Sequence, residues 1–170
     1  RDACSSLDPR QHLILLPLAV LLDNLGAYTA LLNGASITVP ADSGLHGSQL
    51  DMPRLLQVLN QHQPHSLILV PQLLQALLQA ADAGAPLPQS LRFIAVGGGR
   101  VAPALLERAT QLGLPVFEGY GLSECASVVC LNRPGYQRAG TVGKPLPHVD
   151  IKLADDGEIL VRGARALGYL

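Results

Sequence analysis

Tryptophan is missing altogether, and only 4% of the side chains are aromatic. Platforms that stack single-stranded bases need more rings than this. An excess of either charge is missing too: 12 Lys and Arg stand against 13 Asp and Glu, for a net charge of -1. That balance offers no attraction to a polyanion, so nucleic acid is not expected as a partner. Long apolar runs are also lacking. The longest, "LILLPLAVLL" from Leu13 to Leu22, is interrupted by Pro17 and followed at once by Asp23 and Asn24. It falls short of the roughly 18 residues that a membrane span requires. The three cysteines, Cys4, Cys125 and Cys130, are odd in number and form no C-x-x-C pair. Free thiols in a reducing compartment are the simplest expectation.

Several chemical signatures are absent as well. There is no G-x-S-x-G elbow, no Walker loop and no G-x-G-x-x-G fingerprint. His62 and His65 flank Pro64, which breaks a helical metal pair, while His12, His46 and His148 stand alone and read as structural or exposed. Neither Lys144 nor Lys152 has a catalytic setting. The chain opens on "RDACSS", without Met and without signal-peptide character, which points to a piece of something longer.

What is present is a β-α alternation over an apolar fraction of 48%, enough for one domain with a real core. The spacing predicts strands in "HLILLP", "ASITVP", "SLILVP", "LRFIAV" and "PVFEGYG". Helices are predicted in "LAVLLDNLGAYTALLNG", "MPRLLQVLNQHQP", "PQLLQALLQAADAG" and "ALLERATQLG". Such an order argues for a mostly parallel α/β sheet flanked by helices. After about Gln137 the texture changes. "VDIKL" and "EILVRG" alternate around the turn "ADDG", as a hairpin does. Residues 1–138 are read as an α/β subdomain carrying the site loops, and residues 139–170 as the beginning of a small β subdomain.

Two glycine-rich loops stand at the carboxyl ends of consecutive predicted strands. In "VGGGRVAP" the glycines let backbone approach a ligand, and the helix that follows aims its first N–H groups the same way. In "FEGYGLSECASVV", Gly119 and Gly121 leave both faces of Tyr120 open for stacking on a purine. Ser123 offers a hydroxyl to a phosphate oxygen, Glu124 a hard oxygen ligand for Mg²⁺, and Glu118 an acceptor for an exocyclic amine. Each loop alone reads equally well as a tight turn. Side by side at one sheet edge, they make a nucleotide crevice.

With these residues in hand, the chain resembles the adenylate-forming superfamily of acyl-CoA synthetases, luciferases and peptide-synthetase adenylation domains. "YGLSE" matches its Y-G-[LM]-[TS]-E signature, and "GTVGKPLPHVDIKLADDGEILVRG…GYL" looks like its later run. "LPLAVLLDNLG" is similar to the long-chain fatty acyl-CoA synthetase branch, with Val20 in place of a histidine and Asp23 in place of a glutamate. The resemblance implies that Gly98, Gly99 and Arg100 lie along the adenine, and that Glu118, Gly119 and Tyr120 contact the base. It further implies that Gly119 and Gly121 border the acyl tunnel. Ser123 then touches the α-phosphate and Glu124 coordinates Mg²⁺. The implied reaction takes ATP and a fatty acid or other carboxylate, releases pyrophosphate, and passes the acyl group from AMP to CoA.

The family's phosphate loop, its ribose-binding Asp and its small C-terminal domain with the catalytic lysine are not in this sequence. The expectation is therefore an inner fragment of the large domain, inactive alone and prone to self-association through exposed strand edges. A cytoplasmic enzyme is implied, with peripheral contact at the inner face of the membrane open to it. The rival readings are an aryl, short-chain or amino-acid adenylating enzyme, and a non-catalytic nucleotide- or acyl-binding module.

Overall fold

The computed structural model describes residues 8, 10–47 and 49–168. Cys4 and the last two residues of the "GYL" match lie outside the described residues. The chain runs β1 (Gln11–Leu13), α1 (Leu21–Leu32), β2 (Ser36–Thr38), β3 (Leu45–His46), β4 (Gln49–Leu50), α2 (Met52–His62), β5 (Ser66–Leu69), α3 (Pro71–Asp82), β6 (Phe93–Val96), α4 (Pro103–Gln111), β7 (Val116–Tyr120), β8 (Cys130–Leu131), β9 (Lys144–Pro145), β10 (Asp150–Leu153) and β11 (Ile159–Arg162). The main sheet has the order β2-β1-β5-β6-β7-β8-β9. The first five strands of that order are parallel, while β8 and β9 add on antiparallel.

Each predicted helix forms, and local chemistry starts it. Proline occupies the first turn of α2, α3 and α4, where its missing N–H costs nothing. The Asp51 carboxylate caps α2 by accepting from Arg54 N–H at 3.0 Å. In α3 the stripe Leu73, Leu74, Leu77 and Leu78 is buried against the sheet, as its period requires. The hairpin around "ADDG" is β10–β11, a sheet of its own. The short β3–β4 hairpin and the β8 and β9 strands carry only two residues each, too few to announce themselves by alternation.

Right-handed β-α-β crossovers fix where the helices sit. The step from β1 to β2 goes one way along the sheet, and the steps from β5 to β6 to β7 go the other. Helix α1 therefore lies on one face, opposite α3 and α4. The large core, built on Leu55, Leu59, Leu67, Leu69, Leu74, Ile94 and Val96, fills the α2–α4 side. On its own side α1 packs chiefly on β1, β2 and β5.

The first strand and helix are shorter than the pattern predicts, for one reason. Asp23, fully buried in the first turn of α1, turns back and accepts from Leu15 N–H at 3.1 Å and Leu16 N–H at 2.8 Å. Those N–H groups are thereby taken out of the strand ladder, and Pro17 to Val20 make a turn before the helix begins. Gly26 lets α1 settle on the sheet: a Cβ there would stand 2.5 Å from Ile68 Cδ1 and 2.9 Å from His12 Nε2.

Removing the Asp23 carboxylate would strand two buried N–H donors, each costing about 1–3 kcal/mol. Asp23→Ala in the protein that contains this chain is expected to lose about 2–4 kcal/mol by urea denaturation. A loss within the error of that measurement would refute this account of the α1 anchor.

Candidate functional site

The two glycine loops meet. Gly97 is buried at the end of β6, where an added Cβ would lie 3.4 Å from the carbonyl oxygen of Gly119 on β7. Gly98 turns the chain with φ +80, a conformation that glycine adopts without strain. Gly98, Gly119, Tyr120, Gly121 and Ser123 all line one groove of about 740 Å³. That volume lies within the range of small-molecule and cofactor sites. The structure does not bring every predicted residue into it. Gly99 packs beside Pro71, and Arg100 is exposed beyond it on the same loop. Glu124 follows Ser123 in a 3-10 turn (Ser123–Cys125) and is exposed at the rim, where its carbonyl accepts from Ala166 N–H at 2.7 Å.

The segment after Tyr120 is tightly folded. The Leu122 carbonyl accepts from Cys125 and Ser127 N–H, both at 3.0 Å, and Val129 N–H returns to the Tyr120 carbonyl at 2.8 Å. Ala126 and Ser127 hold positive φ values of 55 and 77. Strain of this kind persists only where the surroundings enforce it, and it gathers at ligand sites. Gly121 is required by the fold-back, since any Cβ there would run into the Ser127 carbonyl. Cys125 and Cys130 are free thiols beside this segment, and burial pushes the Cys130 thiol up from its ordinary pKa.

Below the rim the groove runs under α1. Leu22, Gly26, Ala30 and Asn33 line it at helical spacing. Side chains on the sheet grow with distance from the rim: Gly97, then Ala95, then Phe93, two residues apart on one face of β6. Phe93 stacks on Phe117 with ring centroids 5.1 Å apart and planes 16° apart. These are the two phenylalanines of the whole chain. Beside Phe93 in register stands Ser66, and beside Ser66 stands His12.

His12 is not the isolated residue that the sequence suggests. Its Nδ1 lies 2.9 Å from Ser66 Oγ and its Nε2 lies 3.4 Å from Asp23 Oδ1, all three residues buried. No local spacing signals this cluster. Its members come from β1, α1 and β5 and meet only through the topology.

Glu118 faces the other side of the sheet from the groove. It lines a smaller hollow with Pro103, Glu107, Asn132 and Arg138 instead of standing beside Tyr120. Burial raises its pKa above the ordinary glutamate value, partly opposed by Val101 N–H and by Arg100. A carboxyl group whose pKa is raised by folding binds its proton more tightly in the folded state. Its contribution to stability is therefore full below the unfolded pKa and is lost as pH rises through the folded value. Denaturation midpoints of the protein should fall across that window, and Glu118→Gln should remove this part of the slope. An unchanged slope in the variant would contradict the assignment.

The rim can hold a flat base against Tyr120 and give a phosphate the Ser123 hydroxyl. Among the described residues no group of three or more metal-ligating side chains exists. A single rim carboxylate such as Glu124 suits Mg²⁺, which keeps waters and substrate phosphates as its other ligands.

Known proteins bear on this arrangement. The family model described as "AMP-binding enzyme" matches residues 2–170. A 2-succinylbenzoate–CoA ligase of Bacillus pumilus is 31% identical over 134 residues, which is 72% of this chain and 27% of that protein. A long-chain-fatty-acid–CoA ligase of Mycobacterium bovis is 46% identical over 70 residues, 41% of this chain and 12% of that protein. Among solved structures, the O-succinylbenzoate coenzyme A synthetase of Bacillus subtilis in complex with ATP and magnesium superimposes with a TM-score of 0.74 at 26% identity. That match covers 96% of this chain and 36% of the other. The chain thus spans about a quarter of that Bacillus pumilus protein and about a third of the Bacillus subtilis structure. A rim of two glycine loops, a serine and a glutamate, matched over nearly every residue by one family model, makes this chain a member of the AMP-binding enzyme family.

Proposed function

We propose that the protein containing this chain is an acid–thiol ligase that activates a carboxylate with ATP and transfers the acyl group to CoA. The observation that carries this reading is the shared groove: Gly98, Tyr120 and Ser123 stand at its rim, and a largely apolar channel continues beneath them. In this reading the purine lies against Tyr120 and the Gly98 loop, with Gly99 and Arg100 at its outer side. The Ser123 hydroxyl donates to an oxygen of the α-phosphate as charge builds there during attack by the carboxylate. Glu124 would hold Mg²⁺, which supplies charge compensation for the phosphates. Pyrophosphate leaves, and the CoA thiol then displaces AMP.

The acid is read as an aryl acid in preference to a long-chain fatty acid. The relative matched over 72% of this chain acts on 2-succinylbenzoate by its name, whereas the fatty-acid ligase matches over 41%. Phe93, which lines the channel, supports the same choice, because a flat ring finds an aromatic face there.

The full-length protein is expected to show acid-dependent exchange of pyrophosphate into ATP, and Glu124→Ala to lower it by about 10²-fold or more. Exchange that is indifferent to added acid would refute the reading. The chain by itself is expected to give no exchange. It is also expected to self-associate, since Tyr28, Leu31 and Leu32 on α1 are exposed. Light scattering that reports a strict monomer at high concentration would contradict this last point.

A further inference from the structure

The deep end of the groove is not built like its walls. Leu22, Gly26, Ile68 and Ala95 make an apolar throat, yet the throat ends on Ser66, His12 and Phe93. From Gly97 to Phe93 is four residues, about 13 Å at a strand rise of ~3.3 Å. Ser66 is held at that depth by its register with Phe93. An acid whose carboxylate sits at the rim therefore presents the far side of its body, not its reacting end, to Ser66.

The Asp23 carboxylate already accepts two backbone N–H groups through Oδ2, and its Oδ1 faces His12 Nε2. A carboxylate there is an acceptor, so His12 turns Nε2–H toward it. Ser66 Oγ is held 2.9 Å from His12 Nδ1, and the hydrogen-bonding capacity that this contact leaves over faces the groove. A buried hydroxyl beside an aromatic ring calls for a polar partner on a flat body. Covering such a group with apolar surface leaves it without water and without a partner, a desolvation penalty that underlies sharp discrimination between analogues.

We infer that Ser66, oriented by His12 and Asp23, is a specificity-determining residue: it selects aromatic acids that carry a hydroxyl group on the ring, remote from the carboxylate. This rests on the ligase reading above. It differs from what the name of the Bacillus pumilus relative suggests, because 2-succinylbenzoate carries a second carboxylate. The single Lys or Arg side chain lining the groove among the described residues is Arg133, and its guanidinium stacks 5.0 Å from the ring centre of Tyr136. Ser66 and His12 are the polar groups on the sheet side at the depth of Phe93, with Thr29 and Asn33 lining the groove from α1.

The test uses the full-length protein and acid-dependent pyrophosphate exchange with four monoacids and one diacid. The pairs are 4-hydroxybenzoate against benzoate and 4-hydroxycinnamate against cinnamate, with 2-succinylbenzoate as the diacid. In the wild type at least one hydroxylated acid should exceed its parent about tenfold in kcat/KM. The ratio within each pair cancels any general loss of activity. Ser66→Ala should bring it near one, and Ser66→Thr, which keeps the hydroxyl, should retain most of it. A wild-type ratio below about threefold in both pairs overturns the inference, as does a ratio that Ser66→Ala leaves intact. A preference for 2-succinylbenzoate over every monoacid also overturns it. Exchange with none of the five acids refutes the ligase reading itself, and this inference with it. The wild-type ratio stands as a test even where a variant fails to fold.

Discussion

The handedness of strand-helix-strand crossovers governs this molecule. Because β1 steps one way to β2 while β5, β6 and β7 step the other, one helix is left alone on its face of the sheet. Three helices bury a continuous aliphatic core on the opposite face. The asymmetry leaves room on the α1 side of the sheet, and the groove lies between α1 and strands β1, β5 and β6. Nothing in the site could be arranged as it is if α1 shared its face with α3 or α4.

A sheet with one sparse face needs its lone helix held firmly, and the anchor is polar. Asp23 ties the first turn of α1 to the backbone at Leu15 and Leu16 and reaches His12 as well. Gly26 then allows the helix to descend onto Ile68. The same carboxylate that positions the helix thus positions the histidine at the foot of the groove. On the proposed reading, structure and selectivity share one buried cluster, and a change to Asp23 disturbs both.

Much of this was legible in the sequence, for physical reasons. The helices of "PQLLQALLQAADAG" and "ALLERATQLG" carry apolar stripes and prolines where helices begin, and both formed where expected. The glycine loops announced themselves because a close backbone approach leaves little choice of residue. Gly98, Tyr120 and Ser123 share a groove as the strand order required. Less visible was anything set by contact between distant segments. His12 looked isolated because Ser66 lies 54 positions away and Asp23 belongs to a helix. Glu118 was expected at the base, but it lines a separate hollow with Pro103 and Glu107 of α4 and not the groove. The two-residue strands β8 and β9 have no period to read; β8 exists because Gly119 and Tyr120 offer it an edge, and β9 pairs in turn with β8. The choice of acid was the least legible feature, since the channel's walls come from β1, α1, β5 and β6 together.

The gradient of side-chain size along β6 has an evolutionary consequence. On the proposed ligase reading the Gly97 end lies toward the nucleotide and the Phe93 end toward the acid, and the two are separated by a full stretch of strand. Alternate positions of one strand therefore work as a ruler whose zero mark is fixed by the shared chemistry. Exchanging the bulky ring at its far mark lengthens or shortens the cargo accommodated and leaves the reacting end untouched. A lineage built on this scaffold can wander among diverse acids by drifting at the foot of the channel, with its adenylation machinery never exposed to that drift.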